Sequence, residues 1–430
     1  MSANTEILFT NVRILDGTGE QLPYAGSVRV RGNRIVQVGR SAGGVSAGDA
    51  LVVDGAGATL MPGMTEAHTH FSWNDAASLA GIQTMPLEEH VLWSAKVARQ
   101  YLQAGFTSCL GAACAKPRLD VVIRNAINAG QIPGPRYLAA SQEITVPGGL
   151  GDETKPHLPY KEFSFGAVVS GREQMRECVR MFFKYGVDSI KLNLSGEYIV
   201  GLPAELTQFS DEEIQIAVEE AKRFGKRVAA HARSCESVKQ CVRHGIEVIY
   251  HASFTDEEAL DLLEANKDKH FVAPGLAWLI QTSFGASQWG ITPELAKNMG
   301  YHRELEHAVE SMKKMIKRGI RVLPGGDYGF AWTPHGTNAK DLEYFVKHLG
   351  MSTMEALIAA TRLGGQMMRM GHELGQIKDG WLADVLLVDG DPLADITVLQ
   401  DRKRLLAIMK DGEFHKAPEV RGQRSTRWAA

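Results

Sequence analysis

The sequence predicts an α/β chain, a (β/α)8 TIM barrel with a small β-sandwich domain built from both chain ends. Three observations lead there. From about residue 64, strand patterns alternate with long helical patterns. Eight such units can be counted up to about residue 375. Short strands with turn punctuation fill the chain before residue 60 and return after 375.

In order along the chain, "ILFTNVRILDG", "AGSVRVRGNRIVQVG" and "ALVVDGAGATLMPG" read as strands, and the Gly-Asn of "RGNR" marks a hairpin because both residues readily take positive φ. The first barrel strand is "LMPGMTEAHTH". The helical "VLWSAKVARQYLQAG" then leads to "FTSCLGAA", and "PRYLAAS" supplies the third strand. "EQMRECVRMFFKYG" leads to "VDSIKLNL", "DEEIQIAVEEAKRFG" to "KRVAAHA", and "SVKQCVRHG" to "IEVIYHA". "EEALDLLEANKD" leads to "HFVAPGLAW", and "HAVESMKKMIKRG" to "IRVLPGGDYG". Several helices end in Gly just before their strand, the usual left-handed stop. "GQIKDGWLADVLLVDGDPL" and "RLLAIMKDGEFHK" are strands again. The expected boundaries are 1–60 and 376–430 for the two parts of the β-sandwich and 61–375 for the barrel. A doubly wound open sheet is the alternative, disfavoured because no Gly-rich phosphate loop follows the first strand.

With 430 residues, 44% hydrophobic and 23% charged, the composition is that of a globular protein. A formal net charge of −3 provides no field for nucleic acid or an anionic membrane. Five cysteines without a CxxC pair argue against a disulfide framework or a thiolate zinc site and fit a reducing compartment. The start, "MSANTEILFTN", lacks a basic segment followed by an apolar one, and no long apolar stretch occurs, so this form of the chain reads as cytoplasmic. A leader removed from a native precursor is compatible with that reading.

Chemistry in such a barrel sits at the C-terminal ends of the strands. His68 and His70 end strand 1, one residue apart and therefore on one face. Taken alone, that pair equally describes a strand with a wetter side. Lys191 lies in strand 4, His231 ends strand 5, His251 ends strand 6 and Asp327 ends strand 8. Six ionisable groups thus converge on one rim. Imidazoles and a carboxylate suit Zn²⁺ or a similar divalent ion. Lysine as an ammonium cannot ligate, but desolvation favours the neutral amine. That amine can add CO₂, and the carbamate can bridge two metal ions ~3.5–4 Å apart. A Schiff-base lysine is the rival role, and it leaves four histidines and an aspartate without a purpose.

This constellation resembles the binuclear-metal branch of the amidohydrolase superfamily. "ILDGTGE" and "DGAGATLMPGMTEAHTHF" resemble its N-terminal signature. "GGDYG…PHGTNAKDLEYFV", "MEALIAATRLGGQMM" and "LGQIKDGWLADVLLVDGDPLADI" resemble its C-terminal half. Within the superfamily the chain is similar to the imidazolonepropionase-like peptidases: Xaa-Pro dipeptidases, Xaa-Arg carboxypeptidases and amidohydrolases that cleave ochratoxin A. The resemblance implies that His68, His70 and Asp327 hold the more buried metal and that His231 and His251 hold the other. It also implies that carboxylated Lys191 bridges the two, that Asp327 is the catalytic proton shuttle, and that the protein is a homo-oligomer, an octamer in relatives of this kind.

Where the peptidases usually read GGHG after strand 3, this chain has "PGGLGD", with Leu150 at the His position. Leucine cannot hydrogen-bond a peptide carbonyl or carboxylate. Trp73, Trp278, Phe330 and Trp332 are the other rim candidates, and Ser72 is expected to face the same mouth. Together they favour a bulky aromatic acyl group or amino-acid side chain. Arg136, His157, Tyr160 and His335 are candidates to receive a substrate carboxylate. The expected activity is cleavage of a small-molecule amide, an N-acyl amino acid such as ochratoxin A, to the acid and phenylalanine. A Xaa-Pro dipeptidase is the alternative, as is a cyclic-amide hydrolase or deaminase. Mononuclear deaminases typically lack the strand-4 lysine, whereas hydantoinase-like members keep it. A non-catalytic barrel is disfavoured by six intact ligand positions.

Overall fold

The computed structural model describes residues 6–40, 46–157 and 164–418. Tyr160, one of the candidate carboxylate receivers, lies outside them. The chain begins with β1 (Glu6–Ile14), β2 (Tyr24–Arg31), β3 (Arg34–Arg40), β4 (Leu51–Asp54) and β5 (Thr59–Pro62). The expected hairpin joins β2 to β3, pairing Arg31 with Arg34 around Gly32, whose φ is 55°. Gly63 then passes the chain directly into β6 (Met64–Thr69). A side chain at 63 would collide with Thr107, whose Oγ1 would lie 2.2 Å from its Cβ.

The barrel continues through β7 (Phe106–Gly111), β8 (Arg136–Leu138), β9 (Ala140–Thr145), the short β10 (Ala167–Val168), β11 (Ser189–Asn193), β12 (Arg227–Ala232), β13 (Val248–His251) and β14 (Phe271–Ala273). β6, β7 and β8 are parallel neighbours, as are β9, β11, β12, β13 and β14 in that order. The third barrel strand is split at Ala139, whose N–H donates to Asp188 at 2.9 Å instead of to a neighbouring strand. Residues 321–324 close the ring. Val272 N–H donates to the Arg321 carbonyl and Leu323 N–H to that of Val272, both at 2.9 Å, while Ala67 N–H donates to Pro324 at 3.2 Å.

That eighth strand is shorter than "IRVLPGGDYG" suggests. Pro324 has no N–H for a ladder, and a Cβ on Gly325 would sit 2.9 Å from those of Ala273 and His68. The seventh is shorter too. β14 stops at Ala273, and the helix Leu276–Phe284 starts after Gly275, which has φ 64°. Trp278 therefore rides on a helix, not on a strand end.

β15 (Val385–Val388), β16 (Leu405–Lys410) and β17 (Glu413–Lys416) return to the first sheet, which runs β17-β16-β15-β5-β1-β2-β3 with β4 beside β1. Both chain ends thus share one eight-stranded sheet. Alternation along these strands divides the burial. Leu386, Leu405 and Ile408 join the barrel core, whereas Val385, Leu387, Ala407 and Met409 join a second core with Phe9 and Leu60. Each large apolar side chain so buried contributes about 1.5–3 kcal/mol.

Arg136 ties the two units together. Its guanidinium donates to Asp384, 3% exposed, at 2.7 Å and pairs with Asp411. It opens β8, at the barrel end opposite the catalytic rim, so it is not placed to receive a substrate carboxylate. Removing one member of a buried pair strands the other charge, at a cost of about 3–5 kcal/mol. Arg136→Ala is therefore expected to lower the melting temperature clearly while leaving catalytic constants unchanged. Scanning calorimetry with steady-state kinetics checks this, and an unaltered melting temperature would refute the tie.

Candidate metal centre

All six candidate ligands line one cavity at the C-terminal ends of the barrel strands. The i, i+2 spacing brings the His68 and His70 rings to the same side, centroids 5.0 Å apart. Asp327 Oδ1 lies 3.4 Å from His68 Nε2 and 3.2 Å from His70 Nε2. His251 stands 5.3 Å from His68 and 4.5 Å from His231, centroid to centroid. Lys191, 2% exposed, points Nζ toward Glu143 Oε1 at 3.9 Å and lies over the Tyr250 ring at 5.1 Å.

Two of these side chains sit on unusual backbone. His251 has φ 74° and Asp327 φ 62°. A non-glycine residue held there costs about 1–3 kcal/mol, and such strain clusters at functional sites.

The donor set fits divalent metal ions. Burial drives the His68, His231 and His251 imidazoles well below their usual range, so they are neutral, with a lone pair to give. His70 Nδ1 donates to the Ala113 carbonyl and His231 Nε2 to that of Gly196, both at 3.0 Å. Each of those bonds leaves the opposite ring nitrogen as the free one, the arrangement metal-binding histidines need. Among the described residues, His68 Nδ1, His70 Nε2, His251 Nδ1 and Asp327 Oδ1 are buried without a hydrogen-bond partner. His68, His251 and Asp327 place ligand atoms within 4.8 Å of one another. Burial alone would raise the Asp327 carboxyl, and the positive charge of Arg233 acts against it, helping to hold the group below the usual carboxylate range. Burial lowers Lys191, favouring its neutral amine.

The remaining predicted residues divide. Trp73, Leu150, Trp278 and Phe330 line the cavity. Trp332 packs behind Phe330 and donates its indole N–H to Thr282 at 2.9 Å. Ser72 does not face the mouth, because its hydroxyl accepts the Ala115 N–H at 2.8 Å and its carbonyl is bonded to His90. His335 is spent on the Trp73 carbonyl at 2.8 Å, burial pushing it down to about 3. His157 is exposed and lines no part of the cavity.

Sequence reasoning missed Glu143, Glu197 and Arg233. Glu143 lies within β9, paired in register with Lys191 of β11, and Arg233 follows His231 at the same i, i+2 spacing as the first histidine pair, so the latter carried a signal. Glu197 and Glu304 come from distant loops and helices to bracket Arg233, the former at 2.5 Å. Glu197 also accepts the Tyr301 hydroxyl at 2.7 Å, and burial raises it to about 7.

The loop carrying Asp327 is gripped from below by two buried acids. Asp341 accepts the Gly325 N–H at 2.9 Å, and Glu66 accepts the Gly326 N–H at 3.2 Å.

Comparison with known proteins gives the family and the fold. The amidohydrolase family pattern matches residues 59–414. An ochratoxinase from Aspergillus niger is 28% identical over 392 residues, covering 84% of this chain and 76% of that one. An imidazolonepropionase from Kosmotoga olearia is 21% identical over 84% of this chain and 85% of its own. Among solved structures, a Xaa-Pro dipeptidase with bound methionine superposes with a TM-score of 0.85 at 28% identity, over 96% of this chain and all (100%) of that one. The A. niger ochratoxinase superposes at 0.82 over 97% and 96%, with 24% identity. Among the described residues no helix is long and apolar enough to cross a membrane.

The acid grip makes stability depend on pH. Burial raises the Asp341 carboxyl from 3.8 to about 7. The folded protein therefore holds that proton more tightly than the unfolded chain. The stability so gained is complete below pH ~4 and is lost as pH rises through ~7, on the order of 4 kcal/mol at ~1.4 kcal/mol per unit. Asn at 341 keeps the carbonyl that accepts from Gly325 and cannot ionise. The melting temperature of Asp341→Asn relative to wild type is expected to climb between pH 5 and pH 8. A constant difference across that range would refute the assignment.

Proposed function

This chain belongs to the amidohydrolase family, and we propose that within it the protein is a binuclear, carboxypeptidase-like amidase. It cleaves N-acyl amino acids with bulky aromatic groups, of which ochratoxin A is one. The observation that carries the reading is the set of buried, unpartnered imidazole and carboxylate atoms on one rim with Lys191 among them. The ochratoxinase and Xaa-Pro dipeptidase relatives support it.

In this reading His68, His70 and Asp327 would hold one ion and His231 and His251 the other, and Lys191, its neutral amine carboxylated by CO₂, would be a ligand shared between them. The chemistry that two divalent ions, Zn²⁺ in this proposal, would supply there is Lewis-acid polarisation of the scissile carbonyl and a water of lowered pKa. Asp327 stays ionised at neutral pH. Its carboxylate takes the proton of the attacking water and returns it to the nitrogen of the leaving amine. Trp73, Leu150, Trp278 and Phe330 enclose the substrate and exclude bulk water. The five free cysteines accord with a reducing, cytoplasmic setting, and assembly into a homo-oligomer belongs to the same proposal.

Xaa-Pro dipeptidase activity is the second reading, favoured by the likeness to a solved dipeptidase. Leu150 weighs against it. Its side chain lies in the aromatic cluster with Trp73, Trp278 and Phe330, where a dipeptide would lose a hydrogen bond worth ~0.5–1.5 kcal/mol. Burying an aromatic group there adds ~1.5–3 kcal/mol. Both effects point the same way, by roughly 10–1000-fold in kcat/KM at ~1.4 kcal/mol per decade.

Zinc-loaded protein is therefore expected to release phenylalanine from an N-aroyl-phenylalanine far faster than it cleaves Ala-Pro or Ala-Arg, with Leu150→His narrowing the gap. A preference for Ala-Pro or Ala-Arg would overturn the pocket argument and leave the metal site standing.

Lys191→Ala is expected to lose the second ion and nearly all turnover, with partial recovery in short carboxylic acids that refill the bridge. Elemental analysis alongside kinetics tests this. Retention of both ions with near-normal turnover would eliminate the bridging role.

A further inference from the structure

Two residues that line the cavity carry hydrogen-bond donors left without an acceptor among the described residues. The indole N–H groups of Trp73 and Trp278 are buried and lack an acceptor among the described residues. The residues themselves are 5% and 2% exposed, and both line the cavity. Their neighbours differ. Trp332, in the same aromatic cluster, donates to Thr282, and Trp93 donates to the Trp73 carbonyl, each at 2.9 Å. The indoles with partners are those set back from the cavity. Of these four indoles, the two without partners belong to residues that line it.

Trp73 is held too firmly for the open donor to be an accident of a loose side chain. Its ring lies flat on His70, centroids 3.5 Å apart and planes 2° from parallel. Its backbone N–H donates to His70 O at 3.1 Å, and its carbonyl accepts from both Trp93 and His335. Gly329 packs so closely that a Cβ there would come within 2.6 Å of the Trp73 Cβ. Trp278 is anchored by its own backbone N–H to Gly326 O at 3.0 Å, next to Asp327. Phe330 stands between the two indoles, 5.0 Å from one and 4.4 Å from the other.

An N-acyl amino acid brings a carboxylate into this cavity, and the obvious cations are committed elsewhere. Arg136 binds Asp384 and Asp411, Arg233 is bracketed by Glu197 and Glu304, and His335 serves Trp73. We propose that the indole N–H groups of Trp73 and Trp278 receive the substrate's terminal carboxylate. The inference rests on the amidase reading and makes these tryptophans specificity-determining donors as well as apolar walls.

Tryptophan-to-phenylalanine changes keep an aromatic ring and delete the donor. Metal-loaded Trp73→Phe and Trp278→Phe are expected to keep wild-type metal content and to lose ~10–100-fold in kcat/KM on N-benzoylphenylalanine. Binding is read with the uncleavable ketomethylene analogue, in which CH₂ replaces the scissile N–H, and with the same compound lacking its carboxylate. The variants are expected to weaken binding of the first by a similar factor and to leave the second unchanged. In ¹⁵N-indole spectra of the wild-type holoenzyme the first compound shifts the Trp73 and Trp278 N–H resonances downfield, and the second does not. Equal losses for both compounds, or unmoved indole resonances at saturation, would overturn the proposal. Failure of the wild type to cleave N-benzoylphenylalanine while the analogue still binds through the indoles would overturn the amidase reading alone. Absence of any binding would overturn both.

Discussion

The placement of Asp327 is the constraint on which the rest of the molecule depends. Residues 321–324 close the barrel between β14 and β6, and the chain then turns through Gly325 and Gly326 with no room for a Cβ at 325 against Ala273 and His68. The carboxylate emerges at φ 62° beside two imidazoles. A backbone held this way relaxes unless its polar groups are satisfied. Asp341 and Glu66 satisfy them from below, and the helix after Gly275 caps the loop from above through Gly326 O. Barrel closure, the strained backbone and the ligand geometry are thus one structural fact seen from three sides.

The same packing sets the electrostatics. Burying charged groups is costly unless each is paired or neutralised. The chain uses both routes. Around the cavity, desolvation renders His68, His231 and His251 neutral, and Lys191 is pushed the same way. One layer outward, Arg233 keeps its charge between two glutamates and casts a positive potential that helps keep Asp327 ionised. A neutral imidazole set around an ionised carboxylate is what divalent cations require of a protein site.

Much of this was legible in the sequence because it is local. The i, i+2 histidines, the helix-stopping glycines at 186 and 245, and the hydrophobic alternation of the end strands depend on neighbours within a few residues, and the structure follows them. The failures share the opposite cause. Arg136 looked free until Asp384 and Asp411, far along the chain, came to meet it. The Ser72 hydroxyl was claimed by Ala115 and the His335 ring by Trp73. Trp278 moved from strand to helix because the chain must turn at Gly275, where a Cβ would strike the His251 ring at 2.7 Å. Arg233 follows directly on the end of β12, and Glu143 sits inside β9 in register with Lys191. They were passed over because a carboxylate beside a lysine and a guanidinium read as ordinary polar residues until burial is known.

In the proposed function a metal centre of this kind would activate water against many carbonyls, so substrate choice would come from the other wall of the cavity. Here that wall is built from aromatic rings whose mutual packing is complete without a ligand: Trp73 on His70, Phe330 between Trp73 and Trp278, Trp332 behind. Such a wall loses little entropy when a flat group slides against it, since its side chains are already fixed. In the proposed amidase, a small polar peptide would bring amide and amine groups against Leu150 and ring faces in place of water. A rigid apolar wall set against a fixed set of metal ligands leaves room for selectivity by shape and by the few donors the wall retains. Both features follow from one choice in the chain, which spends its bulky residues on the mouth of the barrel and its ionisable ones on the floor.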